Sequence, residues 1–244
     1  MLIIAHRGAR STHPENTLTA IQAAIDMGCK AIEIDVHEHD GQFWVIHDKW
    51  LNRTTDHVGK LHWMSSDRLK KVVVEKTEPL PTLLDVLKLV NGKCALNIEL
   101  KGVQHLELLY LHLQFATEQC QFDSNQLIIS SFNHSWLQQI KQEQPQWLIG
   151  ALTASKGTDK AAFAKNLNAT SLNLDIDVVD EDYVQHAKSL GLQVYVYTVN
   201  RQEDWQWLEE IGVDGVFCDC PAEAIKHYPQ AESFVWIRDA RTLR

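Results

Sequence analysis

The run Ala31-Ile32-Glu33-Ile34-Asp35-Val36 places two acids two residues apart inside an apolar, largely β-branched stretch. That spacing predicts a strand carrying both carboxylates on one face. Burying two charges among apolar neighbours is costly unless they have a task. Asn97-Ile98-Glu99-Leu100-Lys101 repeats the arrangement, with Glu99 and Lys101 again two apart. At the start of the chain Leu2-Ile3-Ile4-Ala5 runs into His6-Arg7-Gly8, and His47-Asp48 follows the apolar residues 43–46. Polar chemistry thus recurs at the ends of short apolar runs.

Eight such runs, at 2–5, 31–37, 94–100, 127–131, 147–151, 170–174, 193–198 and 214–218, read as strands. Helical patterns lie between them near 16–27, 82–90, 103–119, 134–143, 158–166, 181–189 and 201–210. In one of these, Leu106, Leu109, Leu113 and Ala116 fall on a single face. Gly28, Gly92, Gly191 and Gly212 follow helical patterns, where a residue of positive φ commonly ends a helix. Strands alternating with helices predict an α/β fold, a parallel sheet closed into a (β/α)8 TIM barrel. An open doubly wound sheet is the alternative, but no Gly-rich phosphate loop follows the first strand.

One segment departs from the alternation. The second strand runs into Glu38-His39-Asp40-Gly41 and a further apolar run follows at once, which predicts a hairpin returning His47 and Asp48 toward that strand. Residues 49–80 then read as an irregular insertion after the second strand. No linker, low-complexity tract or repeat divides the chain, so 1–244 is expected to be a single domain, with the tail beyond Tyr228 packed outside the barrel.

A chain of 244 residues suits one such barrel, and 45% hydrophobic with 23% charged residues is ordinary globular composition. A net charge of −9 argues against a broad nucleic-acid-binding face. Five scattered cysteines suit reduced thiols better than a disulfide framework, and for Cys218 and Cys220 small strand-end residues are a better reading than a metal pair. Nothing resembles a signal peptide, a membrane span of about 20 apolar residues, or an exposed apolar or basic membrane-binding segment. A cytoplasmic protein without stable membrane insertion is expected.

In a barrel the C-terminal strand ends converge on one mouth. Three carboxylates there, Glu33, Asp35 and Glu99, repel one another unless a cation intervenes, and their hard oxygens favour one divalent ion, Mg²⁺ or Ca²⁺. His6 and His47 are candidate proton carriers, since histidine titrates near neutrality and one can act as base while the other acts as acid. Arg7 and Lys101 suit non-bridging phosphate oxygens. Arg7 has a second reading, as an orienting partner of Glu15 or a metal carboxylate. Pro14-Glu15-Asn16-Thr17 reads as a helix cap, a role assigned to Asn16, with site contact open to Glu15. Phe132 and Tyr197 lie at strand ends where they either wall a substrate pocket or pack the core. Together these groups suggest phosphoester cleavage.

The sequence resembles the glycerophosphodiester phosphodiesterase family of the bacterial cytosolic type. The matching residues are His6-Arg7-Gly8, Pro14 to Thr17, Glu33 to Val36, His47-Asp48, Arg53-Thr54-Thr55, Pro81-Thr82-Leu83 and Asn97 to Lys101. They continue through Ser131-Phe132, Tyr197 to Asn200, and Gly215 to Pro221, in family order. The chain departs at Tyr197, where many members carry Trp, and at Cys218, where Thr is common. The resemblance implies a (β/α)8 barrel with a small insertion, His6 and His47 as the acid–base pair, and a divalent metal on Glu33, Asp35 and Glu99. It places Arg7 and Lys101 near the phosphate of a small-molecule glycerophosphodiester, cleaved to sn-glycerol 3-phosphate and an alcohol. A phospholipase C or D of similar barrel, or a non-catalytic phosphodiester-binding member, is the competing reading.

Overall fold

The strands in chain order are β1 (Leu2–His6), β2 (Ala31–His39), β3 (Gln42–Val45), β4 (Val73–Val74), β5 (Glu78–Pro79), β6 (Ala95–Gly102), β7 (Leu127–Ser131), β8 (Leu148–Thr153), β9 (Ser171–Asp175), β10 (Gln193–Tyr197) and β11 (Gly215–Cys218). The structure is a computed structural model and describes residues 1–76 and 78–236. β1, β2 and β6 to β11 pair in parallel, and β1 joins both β11 and β2, so the sheet closes into the expected eight-stranded barrel. Helices connect successive strands. A further helix, Pro221–His227, follows the last strand and lies outside the helical patterns expected from the sequence.

Alternation along the strands sorts the side chains. Ile3 and Ala5, Ile32 and Ile34, and Leu96 and Ile98 join the large buried core that includes the helix side chains. Their neighbours Ile4, Ala31 and Ala95 belong to a separate cluster inside the barrel. The Leu106–Gln119 helix buries Leu106, Leu109, Leu113 and Ala116, the face expected from its spacing. Register aligns the inward polar residues, His6 opposite Glu33 and Asp35 opposite Glu99, which brings both acid-bearing strands level at the mouth.

The β2–β3 hairpin turns at Asp40 (φ 51°) and Gly41 (φ 72°), both left-handed as a two-residue turn between twisted strands requires. Residues 49–80 form an irregular excursion with its own small core of Trp44, Ile46, Leu51, Leu61, Leu69, Val72, Val74 and Leu80. At the other end of β1, Gly8 adopts φ +79°, and a Cβ there would lie 2.7 to 2.9 Å from Ala20. Only glycine lets the His6-Arg7-Gly8 turn press so closely on the Leu18–Asp26 helix.

The tail corrects the sequence expectation. As far as Trp236 it does not pack outside the barrel, and residues 237–244 lie outside those described. Trp236 is fully buried against Ile4, Ala31, Ala95, Ile128, Leu148, Tyr195 and Phe217, closing the N-terminal end of the barrel. Its Nε1–H donates to the Gln126 carbonyl at 3.0 Å, so the indole enters an apolar site without stranding its donor. Among the described residues no helix is long and apolar enough to cross a membrane. Trp236→Ala is expected to cost about 3–5 kcal/mol of stability in urea titration, the range for emptying a buried aromatic site. A loss below about 1 kcal/mol would mean that the tail merely decorates the barrel.

Candidate active site

A cavity of about 170 Å³ opens at the C-terminal ends of the strands. His6, Arg7, Glu33, His47, Glu99, Lys101, Phe132 and Tyr197 all line it, so eight of the nine residues singled out in the sequence share one wall. The ninth, Asp35, is fully buried and ion-paired to two of that wall's cations, Arg7 and Lys101. The strand-end rule thus gathers residues from β1, the β3 exit, β2, β6, β7 and β10.

Each histidine is held by a carboxylate on its Nδ1. Asp219 Oδ1 lies 2.7 Å from His6 Nδ1, and Asn200 steadies the other oxygen of Asp219 by donating Nδ2–H at 2.9 Å. Asp48 Oδ1 lies 2.6 Å from His47 Nδ1, and Arg53 holds Asp48 in turn. With Nδ1–H donated to a carboxylate, the Nε2 of each ring is left free to exchange a proton. His6 Nε2 is 4.0 Å from Glu33 Oε2. Burial pushes both imidazoles below their usual range, against the upward pull of Asp219 on His6 and of Asp35 on His47. The His37 ring, Nε2 3.0 Å from the His47 carbonyl, fastens the backbone beneath the second of them.

Three buried carboxylates face two permanent cations. Burial would raise Asp35, but the Lys101 ammonium and the Arg7 guanidinium overcome it and hold this carboxyl down to about 2. Asn16 adds a two-point grip, Nδ2 donating to Asp35 Oδ2 at 2.9 Å and Oδ1 accepting from the Asp35 N–H at 3.2 Å. The unbalanced charge shows on the other two. Burial, followed by the Asp35 and Glu99 charges, drives Glu33 well above the carboxylate range. Burial and Asp35 push Glu99 up to about 7 despite its ion pair with Lys101.

Ligand oxygens of Glu33, Asp35 and Glu99 lie within 4.8 Å of one another. Glu33 Oε1 is buried with no hydrogen-bond partner, and Asp35 Oδ1 and Glu99 Oε1 have only the Lys101 ammonium beside them. Three hard oxygens converging with surplus negative charge suit a divalent cation such as Mg²⁺ or Ca²⁺. Among the described residues this is the cluster that can hold one. Cys218 and Cys220, with sulfurs 3.6 Å apart, have no such third partner.

The Glu15 carboxylate anchors the opposite side. It accepts from Arg7 Nη1 at 2.9 Å and Arg53 Nη2 at 2.7 Å, and pairs with Arg10 Nη2 at 3.1 Å. Arg7 therefore has the contacts of an orienting residue, its guanidinium shared between Glu15 and Asp35, while remaining in the cavity wall. Asn16 does not cap the helix as expected. Thr17 does, accepting from the Ala20 N–H, while Asn16 (φ 59°) turns inward to Asp35. Phe132 and Tyr197 meet edge to face at 5.9 Å, and Lys101 Nζ sits 5.7 Å from the Phe132 ring centre. Sequence reasoning assigned no role to Asp219, Asn200 or Arg53. Asp219 had a usable signal, an acid immediately after the last barrel strand.

Comparison with known proteins agrees with this geometry. Residues 6–223 match the Glycerophosphoryl diester phosphodiesterase family. A glycerophosphodiester phosphodiesterase of Caldanaerobacter subterraneus is 34% identical over 234 residues, covering 92% of this chain and 96% of its own. One from Bacillus altitudinis is 30% identical over 237 residues, covering 92% and 96%. An Oleispira antarctica phosphodiesterase, solved in complex with the product sn-glycerol-3-phosphate, superimposes with a TM-score of 0.85 at 28% identity, covering 94% of this chain and 97% of its own. A barrel with these residues at its mouth, matched over nearly its whole length, belongs to the glycerophosphoryl diester phosphodiesterase family.

Proposed function

We propose that this enzyme hydrolyses small glycerophosphodiesters to sn-glycerol 3-phosphate and a free alcohol, with His6 and His47 moving the protons. The observation that carries this reading is the pairing of each imidazole with its own carboxylate at one cavity. Two rings fixed in that way can divide the labour. One accepts a proton from the attacking oxygen, and the other returns a proton to the departing alkoxide. The product bound to the Oleispira antarctica relative supports glycerol 3-phosphate as the retained half.

Lys101 and Arg7 neutralise the non-bridging phosphate oxygens as charge gathers on them. Arg7 does so from a guanidinium already fixed by Glu15 and Asp35, so little ordering remains to be done when substrate arrives. Glu33, Asp35 and Glu99 hold the divalent ion, which when bound supplies Lewis-acid polarisation of the phosphate and charge balance. Phe132 and Tyr197 shape the apolar wall against which the glycerol or the alcohol rests. The whole chain acts as a single domain, with Arg53 of the excursion over residues 49–80 holding Asp48 and Glu15 behind the cavity wall.

With metal-free protein, release of glycerol 3-phosphate from glycerophosphocholine or glycerophosphoethanolamine should appear on addition of Mg²⁺ or Ca²⁺. Absence of release with every divalent ion tried would end the hydrolase reading. His6→Ala and His47→Ala should each lower kcat by about 10²-fold or more, the scale of general acid–base catalysis. Unchanged turnover in either variant removes that ring from proton transfer.

Metal affinity should also track pH in a defined direction. A carboxyl raised by burial keeps its proton to higher pH, and the ion must displace that proton. With Glu99 near 7 and Glu33 raised alongside it, binding should tighten from pH 6 to pH 8 and release protons, measurable by calorimetry in buffers of different ionisation enthalpy. Affinity independent of pH over that interval would contradict the ligand assignment.

A further inference from the structure

The excursion after β3 ends in a patch that the reaction does not use. Trp50 (46% exposed) and Trp63 (62%) stand together on its surface, and Val58 (84%) is exposed on the same excursion. The two indoles meet edge to face at 5.4 Å. Trp50 bridges Lys60 across the chain, and the Lys60 ammonium lies over both rings, 5.1 Å from one centre and 5.4 Å from the other. Gly59 leaves room for Trp63, whose ring would crowd a Cβ there at 3.2 Å. Two large apolar rings turned to solvent are costly to keep exposed, and contiguous exposed apolar surface of this kind commonly marks a contact site.

Charge indicates the partner. Residues 49–80 contain seven Lys or Arg and four Asp or Glu, an excess of three positive charges in a chain whose net charge is −9. Lys60 has no acidic partner among the described residues, so its charge faces outward with the rings. The long-range repulsion from the rest of the chain fades over a Debye length of about 8 Å, leaving the local charge to decide contact. Indoles flanked by lysine match the interfacial zone of a lipid bilayer, where the rings lie at headgroup depth and the ammonium reaches phosphate. Trp50 also follows His47, which lines the cavity, by three residues, so their Cα atoms lie at most about 11 Å apart.

We propose that Trp50, Val58, Trp63 and Lys60 form a docking surface for an anionic phospholipid bilayer, seating the mouth of the barrel against it. The contact is peripheral and needs no inserted helix. It rests on these side chains alone and does not depend on which phosphodiester the enzyme cleaves.

The test is flotation of the full chain with vesicles of phosphatidylcholine alone and with phosphatidylcholine containing phosphatidylglycerol. Binding should be confined to the anionic vesicles and should fall as salt is raised. Trp50→Ala with Trp63→Ala should weaken it by about tenfold or more, with hydrolysis of water-soluble glycerophosphocholine unchanged. Lys60→Glu, a surface change that spares the aromatic pair, should weaken it by about fivefold or more, since one lysine near a charged surface is worth about that factor. No partition into anionic vesicles at low salt would overturn the proposal. It would equally be overturned if the Trp variants abolished a dimer seen by sedimentation, because the patch would then belong to a second copy of the chain.

Discussion

Asp35 is fully buried yet ionised, which is possible only because Arg7, Lys101 and Asn16 all converge on it. A lone carboxylate in that position would take up a proton or leave the interior. Two full charges and an amide dipole remove that choice and fix the side chain. The consequences spread outward from this pairing. Lys101 is drawn between Asp35 and Glu99, and Arg7 between Asp35 and Glu15, so the two cations offset only part of the charge on Glu33. The residual negative charge accumulates where three oxygens converge.

A site of this kind opposes the stability of the protein that carries it. Glu33 and Glu99 are pushed upward by burial and by the Asp35 charge, so in the absence of a cation the folded chain holds them at a disadvantage relative to water. The barrel tolerates this because the destabilised groups sit on strands fixed by the rest of the sheet, with the outward faces of the same strands in the continuous apolar core under the helices. Preorganisation at the mouth is carried by packing elsewhere, the usual trade at functional sites.

Much of this was legible in the sequence, and the reasons differ from element to element. The strand positions followed from short apolar runs, and the acid spacing in Glu33-Ile34-Asp35 and Glu99-Leu100-Lys101 followed from the two-residue period of a strand. Convergence of those strands at one mouth is a property of the barrel and needed no local signal. What stayed hidden was of another kind. Asn16 looked like a cap because cap residues are chosen by side-chain type, and the neighbouring Thr17 offers the same chemistry; only the left-handed turn at Asn16 decides between them. Trp236 lies in a tail without periodicity, so nothing local announced that it enters the barrel. Trp50 and Trp63 were invisible as a pair because their contact depends on an irregular fold of the excursion.

The contact between His6 and Asp219 spans 213 positions, joining the first strand to the turn after the last. A ribosome delivers the second partner only 213 positions after the first. Fragments that stop before Asp219, whether released early or cut by a protease, cannot bring that imidazole and its carboxylate together. The fold therefore makes the pairing of His6 with Asp219 conditional on synthesis through β11 and on closure of β1 against it. A copy that stops short of β11 holds His6 without its carboxylate, an outcome that comes from chain topology alone.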